Sequence, residues 1–157
     1  PERGDEIALL LKSRRLPFAR RSKKEDAGPR DRVILADTMG EMGLWLRLAN
    51  VVYLGGGNAE GVGGHNPLEP VRLRRPVLTG PHVFNFASMM ADLSARGLVR
   101  TVTDAGELAA GLADPPVVQE QAVAALEAEA DAPMLATLAA LMPLISKPLL
   151  EAGEPRP

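Results

Sequence analysis

Val51-Val52-Tyr53-Leu54-Gly55-Gly56-Gly57-Asn58-Ala59-Glu60-Gly61-Val62-Gly63-Gly64-His65-Asn66-Pro67-Leu68-Glu69 passes from a short apolar segment through a glycine-rich loop into a helix start. The β-branched and aromatic residues 51–54 predict a buried strand. Six of the ten residues 55–64 are glycine. A loop of that composition lets backbone N–H groups turn toward a ligand and lets phosphate or sugar oxygens approach closely. Asn66, Pro67 and Glu69 then read as N-cap, first helical residue and third helical residue of a helix over 67–74. The positive end of that helix would point at the same anion. No Gly-Lys-Ser/Thr follows the loop, and its glycine spacing misses Gly-x-Gly-x-x-Gly, so neither a P-loop nor a dinucleotide fingerprint is present.

Outward from this unit the same alternation repeats. Leu16-Pro17-Phe18-Ala19, Val33-Ile34-Leu35-Ala36, Pro76-Val77-Leu78-Thr79 and Leu98-Val99-Arg100-Thr101 are further short apolar runs. Segments 5–15, 40–48, 85–95 and 104–113 carry helical periodicity or helix-start signals. Strands alternating with helices predict an α/β fold, a parallel sheet with helices on both faces that binds ligands beyond the carboxyl ends of its strands. The Ala- and Leu-rich segment that follows predicts two C-terminal helices, about 116–130 and 134–146, separated at Asp131-Ala132-Pro133 and serving packing alone. The length fits one domain over residues 1–150, and Gly153, Pro155 and Pro157 mark residues 151–157 as a flexible tail.

Composition narrows the chemistry. The chain has no cysteine, which excludes disulfides, zinc-thiolate sites and a cysteine nucleophile. Two histidines, His65 and His82, are too few for a multi-histidine metal site, and no ordered Ser/His/Asp spacing suggests a triad. The net charge of −2 is unevenly spread: residues 1–32 hold ten Lys/Arg against six Asp/Glu, and residues 101–157 hold two against nine. The run Arg20-Arg21-Ser22-Lys23-Lys24 reads as a solvated basic loop. Without interleaved aromatics it does not read as a nucleic-acid surface. There is no basic-then-apolar leader and no run of 18 apolar residues, so a soluble piece is expected; its start at Pro1 suggests a fragment with anchoring elements upstream.

Two more loops leave the same predicted edge. Asp37-Thr38-Met39-Gly40-Glu41 follows the strand at 33–36, where Thr38 and Glu41 have the spacing of a capping box. Gly80-Pro81-His82-Val83-Phe84-Asn85-Phe86 follows the strand at 76–79. Three polar, glycine-containing loops on one edge form a cleft suited to a nucleotide-like ligand. Asn66 and Glu69 could serve only as caps, or could also accept hydrogen bonds from the two hydroxyls of a ribose. His65 could be a structural residue or donate to an anion.

In this order and approximate spacing, Asp37-Thr38-Met39-Gly40-Glu41, Gly63-Gly64-His65-Asn66-Pro67-Leu68-Glu69-Pro70 and Gly80-Pro81-His82 with Phe84-Asn85-Phe86 resemble the 3-deoxy-D-manno-octulosonic acid (Kdo) transferases. Pro1-Glu2-Arg3, Arg20-Arg21-Ser22 and Val102-Thr103-Asp104-Ala105 fit the same pattern, and the resemblance covers about residues 1–115. It implies the Rossmann-like C-terminal half of a GT-B glycosyltransferase, the half that holds the CMP-Kdo donor. It also implies roles: Arg3 at the donor phosphate; Met39, Gly40 and Glu41 beside the cytosine; Asn66 and Glu69 on the ribose; Gly63, Gly64 and His65 at the phosphate or Kdo. The acceptor, a lipid A precursor, and the general base, a glutamate, would belong to an N-terminal domain outside these residues, so this piece alone should not catalyse transfer. No metal or other cofactor is expected, nor nucleic acid as a partner. The implied location is the cytoplasmic face of the bacterial inner membrane. Where members of the family read Gly-Gly-Ser, this chain has Gly55-Gly56-Gly57, and its loop to Gly63 is one residue longer, so the contacts of that serine do not carry over. The alternatives are a non-catalytic nucleotide-sugar-binding module and another GT-B transferase or an epimerase using UDP-sugars.

Overall fold

In a computed structural model that describes residues 2–151, with side chains through residue 145, strands and helices alternate as the sequence predicts. The order is α1 (Gly4–Ser13), β1 (Phe18–Arg20), a 3-10 turn (Arg21–Lys23), β2 (Val33–Leu35), α2 (Met42–Leu48), β3 (Val52–Leu54), α3 (Leu68–Arg72) and β4 (Val77–Thr79). A second 3-10 turn (Phe84–Phe86), α4 (Ala87–Ala95), β5 (Val99–Thr101), α5 (Ala105–Ala113) and α6 (Glu120–Glu151) complete it. All strand pairings are parallel. The expected tail at 152–157 lies outside the described residues; residue 151 still belongs to α6. The chain divides into two compact units, one up to Leu48 and one from Ala49 onward.

In the first unit β1 pairs with β2, Phe18 opposite Val33 and Arg20 opposite Leu35. Ala19 on β1 and Ala8 on α1 are buried. Arg20 and Leu35 end their strands on the same edge, so the turn at 21–23 and the loop at 36–41 leave from there together.

In the second unit β4 lies between β3 and β5, with Leu54, Thr79 and Thr101 in register at the carboxyl edge. Successive strand residues face opposite sides of a sheet, and β4 is buried on both. On one side Val77 joins Val99, Val71 of α3, Met90 and Leu93 of α4, and Val123 of α6 in one core. On the other side Leu78, fully buried, lies against α5 at Gly111, where an added Cβ would come 3.0 Å from the Leu78 Cδ1. Helices therefore cover both faces of this sheet. Asp104 caps α5, its carboxylate accepting from the Glu107 N–H at 2.8 Å.

The C-terminal segment departs from expectation twice. Residues 120–151 form one continuous helix, not two broken at Pro133. Proline removes one N–H and costs about 3 kcal/mol inside a helix. The flanking alanines and leucines are the strongest helix formers, and they carry the helix through. Nor does packing account for the whole segment. Val123 is buried, and Ala122 and Leu126 are partly buried against the core, but Met134, Leu135, Leu138, Leu141, Met142, Leu144 and Ile145 are exposed. Over Glu120–Ile145 the few polar residues are spaced so that an 18-residue window reaches a mean hydropathy of 1.3, long and apolar enough to cross a membrane by length and composition. Its first turns are fastened by ion pairs that sequence spacing did not announce: Arg74 with Glu120 at 2.8 Å, and Arg96 with Glu129 at 2.8 Å.

Candidate functional site

The loop between β3 and α3 is shaped by close backbone contact with the loop after β4. An added Cβ on Gly57 would lie 2.8 Å from the Gly80 N and 2.9 Å from the Thr79 Oγ1; one on Gly80 would overlap the Gly57 carbonyl and Asn58 Oδ1. Only glycine fits at either position. The His82 N–H donates to the Gly57 carbonyl at 2.8 Å and the Asn85 N–H to the Gly63 carbonyl at 3.3 Å. The Asn85 Nδ2 donates to the Val62 carbonyl at 3.0 Å. The Gly80–Phe86 stretch therefore braces the glycine loop as well as sharing its edge. Sequence spacing marked Asn85 as part of a motif without revealing this role.

Gly63 and Gly64 both adopt left-handed backbone, φ +85° and +79°, a conformation that side-chain-bearing residues rarely take. They are buried, whereas His65, Asn66 and Glu69 are exposed. Among the described residues the N–H groups of Gly63, Gly64 and His65 donate to no other backbone group. Three successive unpaired N–H groups on such a turn are what an anion requires. The Asn66 Oδ1 accepts from the Leu68 N–H at 2.9 Å, so Asn66 does cap α3. The side chain of Glu69, in its first turn, makes no hydrogen bond or ion pair among the described residues, and its carboxylate is free to accept from a ligand. The imidazole Nε2 of His65 lies over Gly56, 3.2 Å from where a Cβ there would be. Thr79, fully buried, has a hydroxyl without a partner among the described residues.

The sites predicted in the first unit look different. Thr38 and Glu41 do not form a capping box. The Thr38 hydroxyl donates to the Glu41 carboxylate, and α2 begins only at Met42, with the Glu41 carbonyl accepting from Leu44 at 3.0 Å. The Glu41 carboxylate is gripped by the Arg21 guanidinium at 2.6 and 3.0 Å. Arg21 first, then Thr38, hold its pKa down to about 2. Residues 21–24 are exposed, as expected of a solvated basic run, but the two arginines of the run are paired with carboxylates. Arg20 donates to Asp37 at 2.5 Å and to Asp5 at 2.6 Å, and Ser22 donates to Asp37 from its N–H at 3.0 Å and its hydroxyl at 2.8 Å. Burial alone would raise the pKa of Asp37, whose side chain is 4% exposed; Arg20 and Ser22 outweigh it and hold the carboxyl far below its ordinary range. The periodicity of a basic run cannot show that acidic residues 15 to 20 positions away will pair with its arginines.

Met39 and Gly40 stay exposed. With Thr38, Glu41, Arg21, Ser22, Lys24 and Asp26, Met39 lines an open pocket of about 590 Å³. Arg3, at the start of α1, forks onto Glu6 at 2.9 and 2.8 Å, with both side chains mostly exposed. Within the second unit the structure thus gathers Gly63, Gly64, His65, Asn66 and Glu69 on one turn and helix start. Within the first it gathers Met39 and Glu41 at a pocket, with Gly40 exposed between them in the chain.

No family model matches the chain. Among curated proteins it is similar to the 3-deoxy-D-manno-octulosonic acid transferase of Haemophilus influenzae, 39% identical over 112 residues, which is 69% of this chain and 26% of that protein. The enzyme of the same name from Bordetella pertussis is 40% identical over 106 residues, 67% of this chain and 24% of that protein. Among solved structures, the C-terminal CMP-Kdo binding domain of WaaA from Acinetobacter baumannii aligns with a TM-score of 0.70 at 38% identity. The alignment covers 79% of this chain and 66% of that one. The chain spans about a quarter of the length of the curated relatives.

Proposed function

Because the chain belongs to the 3-deoxy-D-manno-octulosonic acid transferase family, we propose that it is the donor-binding half of a glycosyltransferase that moves Kdo from CMP-Kdo to a lipid A precursor in lipopolysaccharide assembly. In this reading residues 1–150 are the nucleotide-sugar-binding domain and 151–157 a tail. The enzyme works at the cytoplasmic face of the inner membrane of a Gram-negative bacterium.

The observation that carries the reading is the turn at Gly63–His65. Unpaired N–H groups there, on left-handed glycines, supply donors for a phosphate or a sugar carboxylate, and the free Glu69 carboxylate two helix residues on supplies an acceptor pair for a ribose. Asn66 holds the helix start with its Oδ1 and keeps its amide N–H groups for the same ribose. His65 adds a donor at the turn. Met39 and Gly40 offer the cytosine an exposed apolar surface, and Glu41 is held ionised beside them by Arg21. The family resemblance assigns Arg3 to the donor phosphate, for which it would exchange Glu6.

The reaction needs an acceptor hydroxyl, deprotonated by a glutamate of a preceding domain, to attack the anomeric carbon of Kdo. The bond from that carbon to the CMP phosphate oxygen breaks as the new bond forms. CMP then leaves with its charge held by backbone N–H groups and Arg3. Calorimetric titration of the chain with CMP and UMP tests the donor half directly. CMP should bind in preference, and Glu69→Ala and Asn66→Ala should each weaken it, with folding checked by circular dichroism. A folded chain indifferent to the base, or to both substitutions, would sink the reading.

A further inference from the structure

Phe84, Asn85 and Phe86 make one 3-10 turn but have three different fates. Phe86 packs against the core of the second unit. Asn85 is tied at both ends to the glycine loop, by its N–H to Gly63 and its amide to Val62. Phe84 is an apolar side chain left 61% exposed, although a phenyl ring gains by leaving water. Its ring nonetheless lies against the glycine loop, the Cε2 atom only 2.8 Å from where a Cβ on Gly63 would sit. A phenyl ring is thus laid beside the very turn whose N–H groups are unpaired.

An exposed aromatic next to a cluster of free donors suits a ligand that is anionic at one point and apolar at the next. A 3-deoxy-ulosonic acid has this character: carboxylate and glycosyl phosphate on the anomeric carbon, and beside it a methylene that carries no hydroxyl. We propose that Phe84 is a specificity residue for the sugar half of the donor, its ring receiving the deoxy methylene while the Gly63–His65 turn receives the anionic groups. This rests on the donor-binding reading above and adds to it a residue and a reason for preferring a 3-deoxy sugar, since a hydroxyl at that carbon would lose its water against the ring without gaining a partner.

The test is titration of the 157-residue chain with CMP and with a hydrolysis-resistant CMP-Kdo analogue, using wild type, Phe84→Ala and Phe84→Tyr, each checked by thermal melting. Phe84→Ala should weaken the analogue about tenfold while leaving CMP affinity within about twofold, and Phe84→Tyr should restore most of the loss. If Phe84→Ala weakens CMP and the analogue equally, or weakens neither, the assignment of Phe84 falls while the donor reading stands. If the wild-type chain binds neither ligand, the donor reading falls and this one with it.

Discussion

The side-chain amide of Asn85 donates to the Val62 carbonyl across 3.0 Å, and through this bond the loop after β4 carries the loop after β3. Asn85 is 23 residues from Val62 in the chain and is exposed, so its role is to brace the turn that would hold the ligand. Asn85→Ala should therefore leave the circular dichroism spectrum unchanged and cost about 1 kcal/mol of stability. CMP affinity should fall roughly fivefold, because the glycine loop must then be ordered by the ligand. Calorimetry alongside urea unfolding checks both numbers; unchanged CMP affinity would show that the brace is irrelevant to the site.

Gly57 and Gly80 meet backbone to backbone, with the Gly57 carbonyl and Asn58 Oδ1 occupying the space of any side chain on Gly80. Gly80→Ala should push the two loops apart and destabilise the second unit by about 1–3 kcal/mol. Gly61→Ala, where nothing lies within 4 Å of the new Cβ, should cost less, its penalty arising from the φ of +83° alone. Urea midpoints of the two variants, compared side by side, should rank in that order.

Glu41 sits with its pKa near 2, below the ordinary 4.5, because Arg21 and Thr38 favour its ionised form. A carboxylate whose folded pKa is depressed stabilises the fold fully above the unfolded value and loses that contribution as pH falls toward the folded one. The Arg21–Glu41 contribution should therefore be intact above about pH 4.5 and fade between there and about pH 2. Arg21→Gln should lower the urea midpoint at pH 7 and flatten its decline across that acid window relative to wild type. An identical pH dependence in the variant would show that the pair contributes nothing.

Among the described side chains of α6, only those of the first turns reach the core. Val123→Ala should cost about 2 kcal/mol through lost burial and the cavity left behind. Truncation after Asp131 removes residues that are exposed through Ile145, and it should shift the melting temperature by less than Val123→Ala does while improving solubility. Thermal melts and light scattering of the two variants would check this; a larger loss from truncation would mean that the apolar end of α6 stabilises the fold.

The residues themselves determined much of this protein. Strands placed at 51–54, 76–79 and 98–101 and helices at 67–74, 85–95 and 104–113 appear within a few residues of those bounds, because apolar runs and helix-start residues act over one or two turns of chain. The Kdo transferase resemblance was legible in three short motifs, each confined to one loop and the helix start after it. What depended on tertiary structure involved partners far apart in sequence. Arg20 and Arg21 of the basic run were paired with Asp5, Asp37 and Glu41. Thr38 was drawn away from its capping box by a carboxylate that Arg21 had already engaged. Proline 133 was carried inside a helix whose neighbours favour it strongly enough. Asn85 and Phe84, adjacent in one turn, were sent one into the brace and one into the open by the glycine loop arriving from the adjacent strand. Local chemistry specifies where elements begin and which backbone shapes are cheap; which side chains remain free to meet a ligand depends on long-range pairing, and no spacing along the chain encodes that.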